Sequence, residues 1–283
     1  ENLVKKKGNV ITDEKIPEFK KIKKIAINRN LKLHTLNDKK NSFKILSHIF
    51  KGESQSLKIS YKNSIKNLNF DLIGKIQLKN ILMAIIAAEK SNIDIDKILL
   101  VIPKLNSVEG RLEKIGKIKN QSKVILDYAH TPDALKTSLL NLREQFPNRK
   151  ISLLFGCGGN RDQNKRAKMG MIADNYSDEI FLTDDNPRFE KPSKIRRDIK
   201  KGIKKKKVIE IPNRSKAIFQ AIKNLKSGEI LLVAGKGHEK TQDLGRKKIF
   251  FSDKKFILDT IKKKNLNLSI NLKLNIIKEV SGN

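Results

Sequence analysis

Tryptophan is absent from these 283 residues, aromatic side chains make up 5%, and there is one cysteine, Cys157. A lone cysteine excludes an internal disulfide framework and fits a reducing compartment, so a cytoplasmic location is expected. No apolar run approaches the ~20 residues that span a bilayer, which argues against membrane insertion. The opening residues, Glu1-Asn2-Leu3-Val4-Lys5-Lys6-Lys7, lack the apolar stretch of a secretory signal. They also lack an initiator methionine, so the chain is expected to begin inside a longer polypeptide. Acidic residues are scarce, 30 against 62 Lys and Arg, giving a formal charge of +32. Such an excess can draw in nucleic acid by counterion release. Few aromatics are available to stack bases, however, and the lysines are scattered along solvent faces in a chain rich in Lys, Asn and Ile. No nucleic-acid partner is expected; the charge also suits anionic nucleotides.

The first ~75 residues alternate short strand-like runs (8–12, 31–35, 43–49, 56–61 and 67–73) with one basic helical stretch near 16–27. From Gln77 to Lys90 the apolar residues Leu78, Ile81, Leu82, Ile85, Ile86 and Ala88 form a helical stripe. Residues 94–105 predict a second helix that ends around Pro103. From Lys123 onward the pattern becomes strand, loop, helix, repeated. Residues 124–126, 151–155, 179–182, 208–211 and 230–233 are buried-strand candidates. Thr131 is placed to cap the helix carrying Leu135, Leu139, Leu142 and Phe146, with Pro132 in its first turn. This alternation predicts an α/β fold whose sheet is mostly parallel, with helices on both faces and ligands outside the carboxyl ends of the strands. Residues 265–276 alternate polar and apolar through Leu266, Leu268, Ile270, Leu272, Leu274 and Ile276. That is a strand period.

The unusual residues fall in the loops after those strands. Asp127-Tyr128-Ala129-His130-Thr131-Pro132-Asp133 offers a carboxylate for a ribose hydroxyl or, more commonly, for capping a turn. His130, beside a helix N-terminus, could meet a phosphate. Gly156-Cys157-Gly158-Gly159-Asn160-Arg161 lets backbone approach a ligand and then presents a planar fork suited to a carboxylate. Cys157 is read as a small buried filler, because no partner base is evident. Thr183-Asp184-Asp185-Asn186-Pro187-Arg188 crowds acceptors for an ammonium and a guanidinium for a carboxylate around a rigid proline; a charged surface turn explains it equally well. In Gly235-Lys236-Gly237-His238-Glu239, the glutamate could hold an ammonium, while His238 is read as structural. His34 and His48 sit in strand candidates and need no special role, and no His/Cys set has metal-ligand spacing.

Taken in order, Glu109-Gly110-Arg111-Leu112-Glu113 and the stretches 127–135, 154–166, 183–188 and 233–239 resemble the Mur ligase family, strongly over about residues 65–265. They look most like those members that join meso-diaminopimelate to UDP-N-acetylmuramoyl-L-alanyl-D-glutamate. The resemblance implies the end of a central ATPase domain (residues 1–108), a Rossmann-like C-terminal domain (109–265) and an extension of unknown role (266–283). It implies ATP and Mg²⁺ as cofactors, an acyl-phosphate intermediate, peptidoglycan precursor synthesis and a monomer. Asn80, Arg111, Asp127 and His130 would face ATP. Arg161, Asp185, Asn186, Pro187, Arg188, Gly235 and Glu239 would form the meso-diaminopimelate pocket. The family's Gly-x-x-Gly-Lys-Thr/Ser phosphate loop is not in this sequence, and its Mg²⁺ ligands and carbamylated lysine are expected upstream, so this stretch alone is not expected to catalyse ligation. The competing expectations are a sister ligase, either one adding L-lysine or another amino acid or a folate-type glutamate ligase, and a non-catalytic basic binding remnant.

Overall fold

A computed structural model describes residues 4–39, 41–61 and 63–281, with side chains through Ser269. The chain divides into two compact units, Glu1–Asn106 and Ser107–Asn283.

In the first unit, β1 (Asn9–Thr12) reaches its parallel partner β2 (Lys32–Thr35) through the basic helix α1 (Phe19–Asn28). An antiparallel meander follows: β3 (Phe43–Lys51), β4 (Ser54–Tyr61) and β5 (Ser64–Phe70). The central strand β4 buries every second residue, Gln55, Leu57, Ile59 and Tyr61. That face packs on α2 (Lys75–Lys90), through Leu78, Ile81, Leu82, Ile85 and Ile86, and on α3 (Ile95–Val101).

Two element ends differ from the expectation. The fifth strand stops at Phe70 rather than Ile73, because buried Gln55 donates to the carbonyls of Leu72 (2.6 Å) and Gly74 (3.1 Å) and bends the chain out of the ladder. The second helix starts where Asp94 caps the backbone N–H of Asp96 (2.8 Å), but it tightens into a 3₁₀ turn at Ile102–Lys104 around Pro103. Proline lacks the N–H that an α-helix would need there.

The second unit begins with β6 (Glu113–Lys114) and β7 (Lys123–Asp127), then runs α4 (Pro132–Gln145), β8 (Ile151–Phe155), α5 (Asn164–Tyr176) and β9 (Glu179–Leu182). It continues through α6 (Pro192–Lys200), β10 (Val208–Glu210), α7 (Arg214–Asn224), β11 (Ile230–Ala234), the small hairpin β12 (Thr241–Asp243) and β13 (Lys248–Phe250), and α8 (Asp253–Ser281). Six strands form one sheet in the order β10-β9-β8-β11-β7-β6, parallel except for β6. β8 and β11 are buried at every residue, as unbroken apolar runs require when helices cover both faces. On one face α7 and α8 contribute Ala217, Ile218, Ile222, Ile257 and Ile261 against Val124, Leu154, Leu231 and Val233. α4, α5 and α6 pack side by side. The fold is thus mixed α/β with a mostly parallel sheet, as the sequence predicts. Because β11 returns between β7 and β8, connections diverge there, and a crevice opens at the strands' carboxyl ends.

The tail corrects the sequence reading. Residues 265–276 are helical, part of α8, and not a strand. The helix is anchored at its start by buried Asp253 and in its next two turns by Ile257 and Ile261 in the core. Once nucleated, each further residue adds a hydrogen bond, and a two-residue alternation with no strand beside it does not overcome that. Asn265 instead docks the helix on the loop before β7, accepting from the Lys119 N–H (2.9 Å) and donating to the Lys117 carbonyl (2.8 Å). Among the described residues no helix is long and apolar enough to cross a membrane.

Candidate functional site

Four loops, after β7, β8, β9 and β11, meet over that crevice around a cavity of about 460 Å³. The loop after β7 supplies Tyr128, His130 and Thr131 to the wall. Its Asp127 is buried; one carboxylate oxygen accepts the Leu112 N–H (3.2 Å) and the other the Ser138 hydroxyl. Burial pushes this carboxyl above the usual aspartate range in spite of those bonds. The Tyr128 ring lies between His130 and His238, with centroids 4.6 and 5.2 Å away, and carries the Arg111 guanidinium 4.9 Å from its centre. His130 donates from Nδ1 to the Tyr128 carbonyl (2.9 Å), and Lys165 donates to the His130 carbonyl (2.8 Å). Thr131 caps α4 by accepting from the Ala134 N–H (3.3 Å), the cap expected from the sequence.

The loop after β8 contributes Gly156, Cys157, Gly158, Arg161 and Asp162, and the first turn of α5 contributes Lys165. Glycine is required at 159: a Cβ there would sit 2.0 Å from the Pro187 carbonyl oxygen. The Gly159 N–H donates to the Asn186 carbonyl (2.9 Å), which ties this loop to the next. Buried Arg166 braces the pair from behind, donating to Glu190 (2.9 Å), Asp198 (3.2 Å) and the Gly158 carbonyl (3.3 Å). The Cys157 thiol lies 3.6 Å from the Met169 sulfur, and burial pushes its pKa up to about 12. With so little thiolate, iodoacetamide at pH 8 is expected to alkylate the native chain at least about a hundredfold more slowly than the urea-unfolded chain, followed by mass spectrometry. Comparable rates would contradict the buried-filler role.

From the loop after β9 come Asp185, Asn186 and Arg188. Asp185 accepts its neighbour's N–H (Asn186, 2.7 Å), and its carbonyl accepts from Gln242 (2.6 Å). Asp184 turns away to pair with Arg196. Arg188 sits at φ +50°, held there by its N–H on the Asp243 carbonyl (3.1 Å). Its Nη1 donates to the Gly159 carbonyl (2.8 Å), and Nε lies 3.7 Å from the Asp243 carboxylate. The loop after β11 supplies Gly235 and Glu239. Gly235 has φ +114°, and a Cβ would come within 2.8 Å of the Asp185 carboxylate.

Seven of the residues singled out in the sequence therefore share one cavity: His130, Arg161, Asp185, Asn186, Arg188, Gly235 and Glu239. Pro187 instead packs its carbonyl against Gly159, so it shapes the loop rather than the wall. Arg111 and Asp127 do not line the cavity: Arg111 is exposed with its guanidinium over the Tyr128 ring, and Asp127 is buried and accepts the Leu112 N–H. Asn80 belongs to the first unit, exposed on α2, with its amide 3.4 Å from Gln77 Oε1. Sequence reasoning missed the wall residues Asp162 and Lys165 and the buried cations Lys236, Arg166 and Arg214. A lysine between two glycines and two arginines at helix starts carry no local mark of burial. Among the described residues, no group of three His, Cys, Asp or Glu could hold a metal ion.

Residues 110–237 match the model of a family described as Mur ligase, glutamate ligase domain. The chain is 38% identical over 251 residues to the UDP-N-acetylmuramoyl-L-alanyl-D-glutamate–2,6-diaminopimelate ligase of Rickettsia felis, an alignment covering 88% of the chain and 46% of the relative. It is 44% identical over 203 residues to the enzyme of the same name from Buchnera aphidicola subsp. Baizongia pistaciae, covering 71% and 40%. The chain thus spans about half the length of the curated relatives it matches. Among solved structures, a UDP-N-acetylmuramoyl-L-alanyl-D-glutamate–2,6-diaminopimelate ligase superposes with a TM-score of 0.65 at 28% identity, covering 91% of this chain and 53% of that one. A MurF ligase from Thermotoga maritima in complex with ADP superposes with a TM-score of 0.62 at 16% identity, covering 93% and 55%, and shares the fold.

Proposed function

The chain belongs to the Mur ligase family, and on that premise we propose that it forms the amino-acid-binding part of an ATP-dependent ligase that adds meso-diaminopimelate to UDP-N-acetylmuramoyl-L-alanyl-D-glutamate. The carrying observation is the two-signed cavity: the guanidinium groups of Arg161 and Arg188 and the carboxylates of Asp185 and Glu239 line one space. meso-Diaminopimelate bears an ammonium and a carboxylate at each end, so it can satisfy both signs at once. L-Lysine lacks the distal carboxylate and would leave one guanidinium without its partner.

In this reading ATP phosphorylates the glutamate side chain of the precursor. The free amine of diaminopimelate attacks the acyl carbon, a C–N bond forms, and the C–O bond to phosphate breaks with its electrons leaving on phosphate. The contribution of this chain is binding and orientation, which turns a bimolecular attack into one within a complex. In this proposal Arg111, Asp127 and His130 face ATP, Asp127 with one acceptor position on each oxygen already taken, and Asn80, in the first unit, is assigned to ATP by the family resemblance alone. Among the described residues no group of three His, Cys, Asp or Glu could hold a metal ion, and the binding role given to this chain runs through no metal. Peptidoglycan precursor synthesis in the cytoplasm is the corresponding setting.

Calorimetric titration of the chain with meso-diaminopimelate, L-lysine and L-glutamate tests the reading. meso-Diaminopimelate is expected to bind at least about tenfold more tightly than the other two, the yield of one charge-assisted pair. L-Lysine binding as tightly would transfer the assignment to a lysine-adding ligase.

A further inference from the structure

Lys236 is fully buried and does not line the cavity, yet it touches two side chains that do. Its ammonium donates to Asn186 Oδ1 (3.0 Å) and to Glu239 Oε2 (2.9 Å). Asn186 Oδ1 also accepts the backbone N–H of Asp243 (3.0 Å), so two donors fix the oxygen end of the amide. The Asn186 NH₂ group then has one direction left, and it donates to Glu239 Oε2 (3.0 Å). With two donors on Oε2, the other carboxylate oxygen is the acceptor that Glu239, 32% exposed, can offer to the cavity. Glycines on both sides, at φ +114° and +51°, let the lysine turn inward at the end of β11.

We propose that Lys236 is a positioning residue: it fixes the amide of Asn186, keeps Glu239 a carboxylate, and aims the free oxygen of Glu239 at the ammonium of the incoming amino acid. The proposal deepens the amino-acid-site reading and rests on it for the identity of the ligand. The charge balance around Glu239 agrees. Burial pushes its carboxyl up, but the bond and charge of Lys236, with Asn186 and Arg188, outweigh burial and hold it below the usual glutamate range. Charges acting on it come from Lys236 on its own loop, Arg188 on the loop after β9 and Arg214 on α7, and the cavity it lines also carries Asp185, His130, Arg161, Asp162 and Lys165. Arg214 already has Asp253 as its carboxylate partner, whereas Glu239 is the only carboxylate paired with Lys236 among the described residues. A buried ammonium and its one carboxylate stand or fall together.

The test is carbon-detected NMR of the Glu239 carboxyl in the full 283-residue chain and in Lys236→Gln, which keeps a donor but removes the charge. The Glu239 midpoint is expected to rise by about one pH unit or more in the variant, equivalent to about tenfold in the ionisation constant. Binding of meso-diaminopimelate should then weaken more in the variant as the pH falls, where a larger share of its Glu239 is protonated than in the unmutated chain, and the difference should fade at pH 8, where both are ionised. A folded Lys236→Gln chain with an unmoved Glu239 midpoint overturns the proposal. A second readout needs no variant: in the unmutated chain the Asn186 side-chain amide protons should shift with the Glu239 midpoint, and independence of the two also overturns it. If the midpoint moves as expected but meso-diaminopimelate binds neither chain, the positioning role stands and the substrate reading falls.

Discussion

Arg188→Ala is expected to lower the use of meso-diaminopimelate by at least about tenfold, with L-lysine affected much less. The expectation follows from what the guanidinium is doing. One nitrogen is pinned to the Gly159 carbonyl at 2.8 Å and the Nε edge leans on Asp243 at 3.7 Å, so the fork is held in place before any ligand arrives. A preorganised planar fork loses little freedom on meeting a carboxylate, and a hydrogen bond to a charged group is worth about 1.5–3 kcal/mol. That is about ten- to a hundredfold in binding. The backbone should survive the change. Arg188 holds φ +50° through its own N–H on the Asp243 carbonyl, and alanine keeps that N–H. Arg188→Lys separates charge from shape: a point charge in place of the fork should recover part of the loss. The measurement is the ratio of dissociation constants for meso-diaminopimelate and L-lysine across the three chains, and of kcat/KM in a ligase completed with the upstream half of a relative. Unchanged values for diaminopimelate in Arg188→Ala would remove Arg188 from the site.

The sequence foretold the four loops but not the layer beneath them. Each loop follows a short apolar run, and runs such as 151–155 and 230–234 mark buried parallel strands whose ends are where ligands bind. Arg161, Asp185, Arg188 and Glu239 stand out because each is a charge within two residues of a glycine or proline in a loop that follows a strand. The packing of those charges was not visible. Lys236 has the same local sequence whether it faces solvent or Asn186, and only the meeting of the loops after β9 and β11 decides it. Arg214 and Asp253 are 39 residues apart, and no spacing rule pairs them. The tail failed for a different reason. Alternation from Leu266 onward fits a strand, but a strand needs a neighbour, whereas a helix already running from Asp253 needs only its own backbone.

That buried pair sets the second large effect. Asp253→Ala is expected to destabilise the second unit by about 3–5 kcal/mol, the usual cost of stripping one partner from a buried ion pair. Arg214 is fully enclosed: its Nε and Nη2 reach the two oxygens of Asp253 at 2.8 and 2.7 Å, and Nη2 also donates to the Ala234 carbonyl at 3.0 Å. Its Nη1 has no hydrogen-bond partner and lies 4.0 Å from the Asp185 carboxylate. Without Asp253 the guanidinium keeps one carbonyl and a distant carboxylate, while α8 loses the side chain that pins its first turn to α7. In thermal unfolding the transition of this unit should fall by on the order of 10 °C. Arg214→Met on the Asp253→Ala background should recover most of the loss, because it removes the stranded charge and not merely a contact. The two substitutions should therefore be far from additive. The site should register the same event: in Asp253→Ala, Arg214 has Asp185 as its nearest carboxylate, and drawing Asp185 from the cavity wall should weaken amino-acid binding even where the chain is still folded. A stability loss below about 1 kcal/mol, or additive effects of the two substitutions, would mean that water reaches Arg214 and that the pair is not the keystone joining α7, α8 and the cavity floor.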